Sequence, residues 1–275
     1  MSAPSVILRE DSVDFVTNLW YNIRGTKNNG VRTKNGRVSK ILLCKIFPQL
    51  HNRFGGIDMS IRKIFEEELA DLKTQLVEMC RLTEQMISDA ITALVGRDRE
   101  LGKSIGVMDK RVDEYEMAIE KKCMRILLKQ QPVAKDFREV STALKMITDI
   151  ERFGDQAADI GDLVYTMPGD AYIKKLTHIT AMGNLAVKMV RESVNSFINN
   201  DEALADEVIA LDDQMDDMFL CVKTDLIELI KKDGRNGDQA IELMMVAKYL
   251  ERIGDHAVNV AEWTKYNETG VHQKF

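Results

Sequence analysis

The sequence of 275 residues contains few of the residues typical of β-sandwich, disulfide-rich or membrane proteins. Four prolines and an aromatic content of 6% argue against an all-β sandwich and against a disordered chain. The four cysteines form no Cys-x-x-Cys pair, so neither a disulfide framework nor a thiolate zinc site is indicated, and a cytoplasmic location is expected. No run of about 20 apolar residues is present, which argues against insertion in a membrane. The abundant Met, Leu, Ala, Glu and Lys residues favour helix.

Residues 1–58 differ from the rest of the chain in charge and in pattern. Their net charge is +5, whereas residues 59–275 carry −11. They show no hydrophobic period, and Lys34-Asn35-Gly36 indicates a turn. The segment also lacks the order of a signal peptide, and no aromatic or helical pattern organises its charges for binding nucleic acid. Two interpretations stay open: a poorly ordered basic extension, or residues translated ahead of a natural start at Met59.

From Met59 onward, apolar residues recur at helical intervals. The pattern predicts six helices of about 30 residues each, the first over 61–95, joined by short turns as in antiparallel bundles. Asp98 and Asp201 are candidate N-caps, and Pro132 and Pro168 are candidate first residues of helices.

The two halves of this helical region resemble each other. Residues 86–114 match residues 189–217 at an offset of 103, and residues 150–155 match residues 250–255 at an offset of 100. The sequence therefore predicts an all-α chain of two tandem three-helix bundles, over 59–167 and 168–275.

Pairs of acids spaced by four residues occur on the second and third helix of each repeat. The first set is Asp109, Asp113, Glu151 and Asp155, and the second set is Asp212, Asp216, Glu251 and Asp255. Folding the first hairpin at Pro132 brings Asp113 level with Glu151, and the second set aligns in the same way. Each acid lies one residue, about 100°, beyond an apolar stripe, so each set is expected at the rim of the core. Gly154 and Gly254 lie between the acids and are expected to leave space there.

Four carboxylates at close quarters require a cation, a proton or basic partners. Oxygen ligands suit hard ions such as Mg²⁺, Mn²⁺, Ca²⁺ or ferric iron. The alternative is a set of surface acids paired with Lys or Arg. Lys248 is placed to pair with Glu251, whereas Arg152 and Arg252 are expected to point away.

The doubled Glu-Arg-x-Gly-Asp segments, set in tandem three-helix repeats, make residues 59–275 resemble the PhoU family of bacterial phosphate-signalling accessory proteins. The resemblance implies a homodimer and multinuclear iron or zinc clusters on the eight acids, with Mg or Mn also open. Asp159 extends the first acidic stripe, whereas its counterpart is Asn259, so the two sites are expected to differ.

The resemblance also implies a role. Family members regulate phosphate-starvation signalling and phosphate uptake negatively, through a sensor histidine kinase and the ATPase or permease of a phosphate ABC transporter. No catalytic residue is predicted, and the pattern indicates no partner-binding surface.

The sequence also bears on three other functions. A di-iron enzyme would carry Glu-x-x-His, but His256 lies five residues after Glu251. Direct DNA binding is disfavoured by the −11 charge of the helical region. A helical adaptor whose acids bind no functional metal stays open.

Overall fold

The structure, a computed structural model, describes residues 30–33, 36–169 and 171–271, and side chains from residue 62 onward. Its elements are strands β1 (Gly30–Thr33) and β2 (Gly36–Ser39), and helices α1 (Lys40–Gly96), α2 (Arg99–Gln130), α3 (Lys135–Thr166), α4 (Thr177–Asn199), α5 (Glu202–Lys232) and α6 (Gly237–Thr269). A short 3-10 helix, Gly234–Asn236, precedes α6. The prediction of an all-α fold with six long helices is confirmed from Lys40 onward, and the strands β1 and β2 lie before it.

The chain divides into two units between Lys63 and Ile64. In the first unit, β1 pairs with β2 in antiparallel register, with Thr33 opposite Gly36. Helix α1 begins at Lys40, well before the predicted start at residue 61, and it continues through Pro48, a residue that ordinarily interrupts a helix. The predictions for residues 1–29, 34 and 35 lie outside the described residues, and the natural start at Met59 and the predicted domain limits stay predictions.

The second unit is built on the apolar stripes that the sequence predicts. Helix α3 packs against α2 and α6, and α6 also packs against α4 and α5. The stripe residues Ile105 and Val112 of α2 and Ile147 and Ile150 of α3 are all buried. Ile105 and Val112 lie against Gly161 and Gly154 of α3. Burying such a side chain contributes about 1.5–3 kcal/mol, so these stripes fix how the two helices align. Among the described residues, no helix is long and apolar enough to cross a bilayer.

The two predicted N-caps are confirmed. A carboxylate oxygen of Asp98 accepts a hydrogen bond from the Leu101 amide at 3.0 Å, and Asp201 accepts one from the Leu204 amide at 3.0 Å. These caps begin the second helix of each repeat at equivalent positions.

The prediction that Pro132 and Pro168 open helices is wrong. Helix α3 begins at Lys135 and α4 begins at Thr177, so both prolines lie in the connections that follow the preceding helix. Proline is common just after a helix end because it cannot continue the helix. Helix α4 is consequently shorter than predicted, at 23 residues.

Two glycines allow α2 and α3 to approach closely in the first repeat. A Cβ on Gly161 would lie 2.4 Å from the carbonyl oxygen of Gly102, and a Cβ on Gly102 would lie 2.8 Å from that of Gly161. The equivalent residues of the second repeat are the buried alanines Ala205 and Ala261. The first hairpin is therefore the tighter of the two at this crossing.

We expect Gly161→Ala to lower the free energy of unfolding by about 1–3 kcal/mol, because the added carbon meets backbone that cannot rotate away. Gly106→Ala is the control: this mid-helix glycine has no atom within 4 Å of an added Cβ, and the change should raise stability by about 0.5–1 kcal/mol. Urea denaturation measures both values. Equal stability of Gly161→Ala and the wild type would contradict the close crossing.

Candidate metal centre

The first quartet consists of Asp109 and Asp113 on α2 and Glu151 and Asp155 on α3. All four side chains are half-buried at the rim of the hairpin core. Burial, followed by the negative charges of Asp155 and Asp113, raises the pKa of Asp109 to about 6. Burial and the charge of Asp155 likewise raise the pKa of Glu151 to about 7. The charges of Asp155 and Asp113 therefore act on both Asp109 and Glu151.

Two oxygens of this quartet are buried without a hydrogen-bond partner. They are Oδ1 of Asp109 and Oε2 of Glu151. An unsatisfied buried acceptor costs about 1–3 kcal/mol, and more when it is charged. A cation or a proton at these oxygens would remove that cost.

The glycines between the acids leave space for the carboxylates, as predicted, but unequally. A Cβ on Gly154 would lie 2.9 Å from Asp109 Oδ1. In the second repeat, a Cβ on Gly254 would lie 3.6 Å from Asp212 Oδ1 and 3.3 Å from Met215 Cγ. The first glycine therefore makes room for a carboxylate, whereas the second mainly accommodates a methionine.

The second quartet consists of Asp212 and Asp216 on α5 and Glu251 and Asp255 on α6. Asp212 is half-buried and Glu251 is buried, whereas Asp216 and Asp255 are exposed. Burial, followed by the charges of Asp255 and Asp216, raises the pKa of Asp212 to about 6. Its Oδ1 is also buried without a hydrogen-bond partner. The second quartet repeats the first but is more open to solvent.

Basic side chains pair with part of each quartet. Lys248 donates to Glu251 Oε2, as the sequence predicts. The prediction that Arg152 points away is wrong: its Nε lies 3.3 Å from Glu151 Oε2, and its Nη1 lies 2.5 Å from Asp155 Oδ2. The long Arg152 side chain folds back along α3 and so reaches both acids, although Arg152 lies one residue further round the helix than Glu151. Glu151 Oε2 is thus ion-paired with Arg152 but accepts no hydrogen bond.

Among the described residues, no three His, Cys, Asp or Glu side chains form a ready-made metal-binding group. The acids converge but stay apart, as like charges do. Even so, their all-oxygen chemistry and the unsatisfied oxygens of Asp109, Glu151 and Asp212 fit a hard cation. The assignment of the eight acids as metal ligands stays a prediction.

Asp159 and its counterpart take part in a contact between the repeats. Burial and the charge of Asp155 raise the pKa of exposed Asp159, and the Tyr249 hydroxyl of the other repeat lies close enough to lower it in part. Reciprocally, Asp149 Oδ1 accepts a hydrogen bond from Asn259 Nδ2 at 3.1 Å and lies 2.9 Å from His256 Nδ1. His256 is therefore held by Asp149 of the other repeat.

Helical period did not predict this contact, although the sequence contains a signal for it. At the offset of 100, Asp149 corresponds to Tyr249 and Asp159 corresponds to Asn259. The two contacts are thus related by the repeat symmetry. Helix periodicity alone does not show which exposed residues of one repeat meet the other.

We expect Asp212→Asn to raise the melting temperature of the protein prepared without metal, because it removes a carboxylate that is costly to ionise. The pKa of Asp212 is about 6 in the folded chain against an ordinary value of 3.8, so the folded chain binds a proton there more readily than the unfolded chain. The gain should be largest at neutral pH and should shrink as pH falls through this interval.

The control is Asp213→Asn, which changes the exposed neighbour on the same helix and should shift the melting temperature less. Thermal melts of both variants from pH 7 down to pH 4 measure the effect. An equal, pH-independent shift in the two variants would contradict the described electrostatics.

Comparison with known proteins identifies the family. The sequence model described as the PhoU domain matches the chain twice, over residues 76–164 and 179–264. Two crystal structures share the fold. PhoU from Pseudomonas aeruginosa superimposes with a TM-score of 0.72 at 29% identity, covering 75% of this chain and 100% of that one. The phosphate transport system regulatory protein PhoU from Streptococcus pneumoniae gives 0.72 at 25% identity, covering 77% and 100%.

Proteins of similar sequence lead to the same family. A phosphate-specific transport system accessory protein PhoU homolog from Clostridium acetobutylicum is 34% identical over 210 residues, which are 76% of this chain and 96% of the relative. A homolog of the same description from Aquifex aeolicus is 35% identical over 190 residues, 69% of this chain and 86% of the relative. With two matches to the domain and relatives aligned over most of their length, the chain belongs to the PhoU family.

Proposed function

We propose that this protein is an accessory regulator of phosphate transport that acts by protein contacts. The relatives from Clostridium acetobutylicum and Aquifex aeolicus are named as accessory proteins of phosphate-specific transport. The shared fold and repeats support the same role here. In finer detail, the protein lowers phosphate-starvation signalling and phosphate uptake by contacting a sensor histidine kinase and the ATPase or permease of a phosphate ABC transporter.

This role requires no catalytic residue and is carried out in the cytoplasm, where the ATP-using parts of such partners operate. The long, exposed faces of α2 and α5 provide surface for docking partners. A non-enzymatic adaptor needs only surfaces whose shape or stability changes with a signal.

We further propose that each quartet binds metal cations, as iron or zinc clusters or as Mg or Mn. The observation that carries this proposal is the set of buried oxygens without a hydrogen bond on Asp109, Glu151 and Asp212. Bound cations would supply positive charge that offsets the repulsion between carboxylates of adjacent helices. The protein would contribute the helix register that brings the acids of each quartet near one another, and Gly154, which leaves room beside Asp109.

A second candidate is a helical adaptor whose acids bind no functional metal. It is favoured by the ion pairs of Arg152 with Glu151 and Asp155, and of Lys248 with Glu251. These pairs partly neutralise each quartet without metal. The two candidates therefore differ in whether the carboxylates outside these ion pairs bind a cation.

Elemental analysis of protein purified without chelator or metal-affinity tag separates the two candidates. We expect several bound ions per chain, a lower melting temperature after chelation, and loss of the ions in a variant combining Asp109→Asn with Asp212→Asn. The control Asp213→Asn should keep its metal. A folded, metal-free wild type whose melting temperature chelation does not change would support the adaptor without metal.

A complementation test examines the regulatory role. In a strain lacking this protein, the wild type should repress a phosphate-starvation reporter in phosphate-rich medium. A variant combining Asp109→Asn with Asp113→Asn should lose repression if the metal is needed and keep it if the acids are surface charge. Failure of the wild type to repress the reporter would contradict the proposed role itself.

A further inference from the structure

A groove of about 740 Å³ lies between α1 and α2 of the first repeat. This volume is typical of sites that bind small molecules. Gln75 of α1 contributes to the lining, but most of the lining comes from α2. Among the described residues that line the groove, none is acidic and four are cationic: Lys121, Lys122, Arg125 and Lys129. The groove therefore has the charge that an anionic ligand requires.

Lys122 is the buried cation of the groove. Its side chain is 8% exposed, and its ammonium pairs with Asp71 of α1. Its Nζ makes no hydrogen bond to a described residue, although an ammonium carries three donors. Burial, followed by the positive charge of Arg125, lowers the pKa of Lys122. A negatively charged ligand would accept hydrogen bonds from these donors and would offset the repulsion from Arg125.

Acidic side chains near the groove offset only part of its charge. Asp71 forms the ion pair just described, and Glu68 Oε1 lies 3.8 Å from Arg125 Nε. Lys121 and Lys129 form no ion pair with any side chain that the structure describes. Four cations and two acids leave a net charge of +2.

The second repeat shows that packing does not require a cation on the second helix at this place. When the offset of 103 is continued along the helices, Asp71 and Lys122 correspond to Lys174 and Asp225. Lys174 and Asp225 also form an ion pair. The ion pair is thus present in both repeats, but its signs are exchanged.

Two further cations are also specific to the first repeat. Lys121 corresponds to Thr224, and Arg125 corresponds to Glu228. All four of these side chains are exposed, so each can be exchanged without a change in the core. The second repeat forms the same helices without these cations, so they are not needed for the fold. A ligand accounts for them better than packing does.

The spacing of the cations indicates an extended anion. Residues 121 to 129 span about 12 Å along α2. A single phosphate reaches cations within about one turn of helix, whereas linked phosphate groups reach all of them. Each phosphate group brings a charge of about −1.5 to −2 at pH 7 and strong acceptor oxygens, which suit the cations of Lys and Arg. The carboxylates of an acidic peptide concentrate less charge in the same length.

We propose that this groove binds a soluble anion with two or more linked phosphate groups. Lys122 donates hydrogen bonds from the buried side of the groove, and the exposed cations Lys121, Arg125 and Lys129 contact the remaining phosphate oxygens. None of the eight acids of the quartets lines the groove, so the site is separate from the candidate metal centre. The proposal is also independent of the regulatory role, because binding is measured on the purified protein without a reporter.

Calorimetric titration of the full chain measures the binding. Tripolyphosphate should bind at one site per chain, at least about tenfold more tightly than orthophosphate, because it makes further charge-assisted hydrogen bonds. Binding should persist in protein that has been freed of metal with EDTA and dialysed, because no quartet acid lines the groove. Added NaCl should weaken the binding because it screens the exposed cations.

Two variants test the residues of the groove. Arg125→Gln with Lys129→Gln removes two exposed cations, and Lys122→Gln removes the buried ammonium. Each variant should bind tripolyphosphate about tenfold more weakly or worse. The control combines Lys231→Gln with Lys232→Gln, which removes the same charge from exposed positions at the end of α5 and should bind like the wild type. Circular dichroism establishes folding, and the variant at the two exposed positions decides if Lys122→Gln does not fold.

Four results would overturn the proposal: no binding of tripolyphosphate by the wild type, binding of orthophosphate with equal strength, equal binding by the folded variants and the wild type, or loss of binding when metal is removed from protein that stays folded. Phosphatidylglycerol vesicles and polyglutamate are the alternative probes. A wild type that binds one of these but not tripolyphosphate, and loses that binding in the variants, would assign the groove to a lipid headgroup or to an acidic peptide instead.

Discussion

The arrangement of the candidate site depends on the alignment of two antiparallel helices, held by apolar side chains. Ile105 and Val112 of α2 and Ile147 and Ile150 of α3 are all buried, and this packing leaves one alignment that keeps both stripes covered. The carboxylates lie one residue further round each helix. The core therefore brings acids together that would otherwise separate, and hydrophobic burial offsets their repulsion.

The two quartets share this constraint but differ in environment. In the first repeat, Gly102 and Gly161 allow a tight crossing, and Gly154 admits the carboxylate of Asp109. In the second repeat, alanines and Met215 occupy the corresponding space, and two of the four acids are exposed. The same spacing of acids thus produces a more enclosed set of oxygens in one half and a more hydrated set in the other, so the two need not have equal affinity for a cation.

Features that follow from helical period and repeat symmetry could be predicted from the sequence. The six helices, the caps at Asp98 and Asp201 and the convergence of the acids belong to this class. Features that depend on a long side chain or on contacts between repeats could not be predicted from the sequence. Arg152 reaches two acids because its side chain is flexible, and Asp149 meets His256 because the repeats pack together, which a single helix does not encode. A proline can lie on either side of a helix boundary. The sequence therefore does not decide the positions of Pro132 and Pro168, which depend on the packing of the folded chain.

The contact between the repeats shows how far the two halves have diverged since a duplication. If two copies of the first half were paired in the same way, Asp149 would face a second aspartate, Asp159, and the charges would repel. If two copies of the second half were paired, Tyr249 would face Asn259, and the Asp149 partner of His256 would be lost. Each half is now the chemical complement of the other. The differences at these positions thus make the contact between the two halves asymmetric.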